Sequence, residues 1–203
     1  HVAHGTIVQV QNAAWLPGAI NNNDIDGNGI IDSEDRTWPG WQGRLGIMQD
    51  SWVPREKIIA GVWGAYSQSR TRVPQGLLGH TRFDCTAAGI DLRLPICQGL
   101  TFQGECYTGQ NMDDLRGGSA QGVNPFLGRE IRTSGGWCEL VARPCNDYQP
   151  AVGVTTDNPV NGDVTGLVMG PNLNAGRTSQ FTWYVSNRFT LGRGLVIGAD
   201  YLN

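Results

Sequence analysis

Lysine is almost missing from this chain: Lys57 stands alone beside fourteen arginines, and there are only three histidines. Charge of either sign is scarce, with 16 % charged residues and a formal net charge of −3. That balance lacks the basic footprint of a nucleic-acid binder. No cysteine precedes Cys85, and Cys85, Cys97, Cys106, Cys138 and Cys145 show no Cys-x-x-Cys spacing, which excludes a zinc ribbon or a thioredoxin-type motif. No apolar run approaches the roughly eighteen residues of a membrane helix. The longest stretch is Ile58–Ala65, so the expectation is a soluble chain with no membrane span. Common catalytic signatures are missing too: there is no Gly-x-Ser-x-Gly elbow, Walker loop or His-Glu-x-x-His, and the glycines of 192–198 have the wrong spacing for a dinucleotide fingerprint.

What is present points to strands. A chain of 203 residues with 39 % hydrophobic content suits one packed domain, and 29 glycines with 10 prolines favour many turns between strands. From Val8 the N-terminal stretch partly alternates apolar with polar residues, and Trp15-Leu-Pro17-Gly18 closes it. Residues 100–107, 137–142, 151–156, 164–170, 180–186 and 189–198 also read as strands. The expected fold is mainly β, a single sandwich or barrel-like domain over 1–203 with irregular loops. One short helix is expected near residues 54–66, behind Pro54, with a strand as the alternative because Gly61 and Gly64 weaken a helix. Residues 70–80 read as loop, and Asn111–Arg116 as one helical turn. The last strand would leave an open edge to which another chain could add.

Residues 24–35 carry the most specific chemistry. Asp24, Asp26, Asn28, Asp32 and Asp35 place oxygens at positions 1, 3, 5, 9 and 12, the backbone carbonyl of Ile30 falls at position 7, and Gly29 permits the sharp turn at position 6. The run resembles the EF-hand loop, and its aspartate at position 12 is similar to dockerins and other extracellular calcium modules. The resemblance implies bound calcium and an extracellular or cell-surface setting. Pro39 and Gly40 oppose an exiting helix, and no second copy of the loop follows, so a whole dockerin is not expected. In an oxidising compartment the five cysteines are expected to form disulfides, with one left over.

Two other patterns suggest ligands. Trp38 and Trp41 could stack on a sugar, as in a carbohydrate-binding module, or pack the loop onto the domain. The opening histidine fits a processing site, an expression boundary or a tag remnant equally well. His1 and His80 also resemble the copper brace of lytic polysaccharide monooxygenases, which would imply copper and oxidative chemistry. The leading expectation is non-enzymatic: a secreted or surface structural or adhesive protein, calcium-stabilised, acting as a subunit of an assembly. Its expected partners are other protein subunits or a surface polysaccharide, without nucleic acid.

Overall fold

A computed structural model describes residues 5–15, 39–75, 80–124, 126–165, 176–192 and 195–203, with side chains omitted for 71–75 and 80. Nine of its strands form one antiparallel sheet in sequence order. They are β1 (Thr6–Trp15), β2 (Gly40–Asp50), β3 (Lys57–Gln75), β4 (His80–Cys97), β5 (Leu100–Gln110), β8 (Arg132–Ala142), β9 (Tyr148–Pro159), β10 (Gln180–Thr190) and β11 (Val196–Leu202). Between β5 and β8 an insert carries 3-10 turns at Asp113–Leu115 and Gly118–Ala120 and a two-stranded hairpin, β6 (Val123–Asn124) with β7 (Arg129–Glu130). A single helical turn, α1 (Asn161–Val164), follows β9.

The mainly β expectation holds, and so does the helical turn within Asn111–Arg116. Of the expected strand 164–170, Val164 ends a helical turn and 166–170 lie outside the described residues, while 189–198 is split between the end of β10 and the start of β11. Two further local readings change. The stretch expected to hold a short helix is strand from Lys57 onward, the alternative already favoured by its glycines. Residues 70–80 are not a free loop, since β3 runs to Gln75 and β4 starts at His80. Here β3 and β4 pair only with each other, past the last partners in β2 and β5, and this hairpin ladder extends both strands through residues whose own pattern is polar. All five cysteines lie among the described residues and none forms a disulfide: Cys85 is buried, Cys97, Cys106 and Cys145 are exposed, and Cys138 is half-buried.

The connections differ at the two ends of the sheet. At the end where β2 meets β3, the connections 51–56, 98–99, 143–147 and 191–195 are short. At the opposite end, the connections 16–39, 111–131 and 160–179 are long, and that between β3 and β4 is short. The pleat sends alternate residues to opposite faces, and the pairing register makes each face continuous across the sheet. One face carries Val8 and Val10, then Leu45 and Ile47, Ala60 and Val62, Ile90 and Leu92, Leu140, Val152 and Val154, Phe181 and Trp183, and finally Ile197 and Tyr201.

That face is apolar and bare. Val10 is 69 % exposed, Ile90 59 % and Phe181 67 %. Among the described side chains, the charged strand residues pointing that way are Arg70, Asp84, Arg82 and Arg132, all toward the long-loop end. The apolar span of β3 from Ile58 to Tyr66 covers about 27 Å at roughly 3.4 Å per residue. The belt runs oblique to the register: its upper limit is Trp41 beside Tyr66 in β2 and β3, and Phe181 beside Thr156 in β10 and β9.

Candidate functional site: a polar face roofed by an insert

The other face gathers nearly all the remaining strand charge. Arg44, Asp91, Arg93, Glu105, Glu139, Asp157, Arg188 and Asp200 all point to it, with Gln9, Gln11, Gln103 and Thr155 among them. Its side chains lie flat. Arg44 of β2 reaches over β3 to Asp91 of β4, with Nε to Oδ2 at 2.7 Å. It can do so because Gly46 and Gly61 lie underneath: a Cβ on Gly61 would stand 2.6 Å from the guanidinium carbon and 2.7 Å from Asp91 Oδ2. Aromatic rings use the same device, Trp63 covering Gly89 and Tyr184 covering Gly153.

Carboxylates in the middle of this face are held by neutral donors. Trp137 Nε1 donates to Glu105 at 3.3 Å, and Tyr184 donates its hydroxyl to Glu139 at 2.9 Å while Gln103 also donates to that carboxylate. Toward the short-turn end, Arg93 pairs with Glu56 at 3.1 Å. These two, with Gln103, Arg143 and Gln149, line an open depression of about 720 Å³. The arrangement is a hydrophilic surface on which Arg44, Asp91, Arg93, Glu105 and Glu139 are paired or hydrogen-bonded in place.

At the long-loop end the insert 111–131 closes over this face. Met112 packs on Ala65 and Ala87, and Val123 on Phe83. The strand residues beneath it are small, with Ser67, Ser69, Cys85 and Thr133 all buried. Asp157 accepts from the backbone N–H of Ser119 and, at 2.5 Å, from the Thr133 hydroxyl. The base of the insert is pinned to α1 by Asp163, whose side chain is 1 % exposed and takes Arg132 Nε at 2.7 Å and Arg129 at 3.0 Å. Hydrogen bonds from Arg132, outweighing burial, hold the Asp163 carboxyl below the usual carboxylate range. Asn124 donates to the carbonyls of Asp163 and Thr165.

Most residues singled out from sequence alone fall elsewhere. Asp24, Asp26, Asn28, Ile30, Asp32 and Asp35 lie outside the described residues, as do His1 and Trp38. His80 opens β4, opposite Gln75. Trp41 is 56 % exposed on the apolar face, register partner of Tyr66. Among the described residues no three His, Cys, Asp or Glu side chains gather as a metal site. The polar face was missed because its signal is spread over many strands, two residues apart in each. No protein family, no curated protein and no solved structure matches the chain.

Proposed function

We propose that this sheet is part of the wall of a membrane-embedded β-barrel, with its apolar face against lipid and its polar face along a water-filled passage. The observation that carries the reading is the bare apolar face that persists through all nine neighbouring strands. Its exposed side chains amount to on the order of 1,500 Å², against the few hundred Å² that soluble monomers leave contiguous. The belt of nine residues in β3 matches the roughly 9–11 residues with which a tilted strand crosses a bilayer. Short turns at one end and long loops at the other are the pattern of outer-membrane barrels. Trp41 and Tyr66 at the rim suit an aromatic girdle, which replaces sugar stacking as the role of Trp41.

No described helix is long and apolar enough to cross a membrane, and strands offer the other route. In lipid both edges of the sheet need partners. β1 and β11 run in the same direction, so they would meet as a parallel seam, whereas an odd number of further strands would keep every neighbour antiparallel. The calcium reading fits this frame: residues 24–35 belong to the 16–39 connection at the long-loop end, which would face the cell exterior. The assembly reading covers the same face with a partner sheet instead. Loop asymmetry and the charge-free belt favour lipid.

Tryptophan fluorescence in vesicles of brominated lipid tests the proposal. Variants retaining only Trp41 or only Trp183 should be quenched strongly, and those retaining only Trp63 or only Trp137 weakly. Equal quenching at all four positions, or no association with vesicles, would overturn it.

A further inference from the structure

The insert 111–131 is a surplus element for a sheet that already pairs β5 directly with β8. We propose that it is the constriction of the passage, a fixed inward fold that sets which polar solutes pass by size. This rests on the membrane reading above. Several independent features place the insert against the polar face rather than beyond the rim. The apolar clusters of buried residues both involve it, through Met112 on β3 and β4 and Val123 on β4. The strands beneath carry Ala65, Ser67, Ala87, Gly109 and Gly135, which leaves room for a second layer at this level, whereas the glycines further along the same face, Gly46, Gly61, Gly89 and Gly153, are covered by Arg44, Trp63 and Tyr184 from the sheet itself.

Hydrogen bonds hold that layer from three directions. The N–H of Asn111 donates to the carbonyl of Ile131 and the N–H of Ile131 to that of Gly122, which close the insert on itself. Glu130 accepts from the N–H of Asp84 in β4, and Asp157 of β9 accepts from the N–H of Ser119. Asp163 and Asn124 tie the hairpin to the 161–165 turn. The backbone bends sharply to achieve this, with left-handed conformations at Asn111, Arg116, Ser119 and Ala120. Such conformations are unfavourable for side-chain-bearing residues and persist where surrounding contacts impose them.

The contact layer is also wet in character. Beneath and within the insert, Ser67 Oγ, Ser119 Oγ and both polar atoms of Asn111 are buried without a protein hydrogen-bond partner. Buried groups of this kind are ordinarily satisfied by ordered water. Such groups beside the apolar contacts of Met112 and Val123 suit a layer that borders an aqueous space. The solutes admitted would be small and hydrophilic, because Arg44, Asp91, Glu105 and Glu139 line the path beyond the insert.

Permeation through proteoliposomes tests this with a series of uncharged sugars from pentose to tetrasaccharide. Two variants are compared with the parent protein: one with residues 113–121 replaced by two glycines, and Asp157→Ala, which keeps the chain length and removes the acceptor of Ser119. Faster entry and a larger size limit in both variants are expected, by several-fold for the largest sugar that the parent still admits. A parent that admits none, beside variants that admit some, would support the same role. Identical limits in all three proteins, or no permeation by any, would overturn the constriction. Lipid quenching of Trp41 and Trp183 in the same vesicles separates that failure from failure of the membrane reading. If the shortened insert does not fold, Asp157→Ala decides alone.

Discussion

Val62→Arg offers a sharp separation between a lipid-facing and a water-facing sheet. Val62 lies mid-belt, paired with Leu45 on one side and Ile90 on the other, and is 54 % exposed. On a soluble protein, substituting a side chain so exposed changes stability by about 0.5 kcal/mol at most. Against lipid, an arginine near the bilayer midplane costs about 2–4 kcal/mol, falling to about 0–1 near the interface. The register supplies the depth series: Val62 at the centre, Tyr66 at the rim with the long loops, and Ile58 at the opposite end of the belt. Arginine variants at these positions should give a free-energy profile peaked at 62, measured by denaturant titration of the protein folded into vesicles. In a guanidinium series the peak would correspond to a shift of the transition midpoint by more than the error of extrapolation. A flat profile within about 0.5 kcal/mol would refute the reasoning. So would a profile that rises toward Tyr66.

Two further outcomes follow from particular groups. Asp163 has a folded-state pKa below its unfolded value of about 3.9, so its contribution is complete above about pH 4 and is lost as pH falls through the folded value. Asp163→Ala should therefore remove acid-side sensitivity below about pH 4. It should cost about 2 kcal/mol at neutral pH, a figure reduced because both arginine partners are more than a third exposed; thermal melts at pH 3 and pH 7 check it, and an unchanged pH difference would count against it. If residues 24–35 bind calcium, chelation should lower the melting temperature of the parent protein but leave that of Asp24→Ala/Asp26→Ala unmoved; a melt insensitive to chelator in both would remove the calcium assignment.

The strand content was legible because period-two alternation and turn-forming clusters are local signals. Residues 100–107, 137–142, 151–156 and 180–186 all fall in strands where the pattern placed them. Around 54–66, apolar residues at both helical and strand spacings left two readings open, and only pairing with β2 and β4 decided between them. Arg70–Gln75 shows why polar composition alone misleads: a hairpin ladder carries strand geometry past the point where the side chains need burial.

The candidate site was scarcely legible. Arg44 and Asp91 stand far apart in the chain and meet only because Gly61 on the intervening strand and Gly46 on Arg44's own strand clear the path. Asp157 gains its role from an insert that returns from between β5 and β8. Sequence by itself determined that this protein is built of strands and which residues alternate within them. Tertiary structure decided that the exposed apolar residues of successive strands share one face and that the insert lies on the opposite one. The reason is physical: alternation fixes faces within one strand, whereas registering one strand's face with the next depends on hydrogen bonds between distant segments.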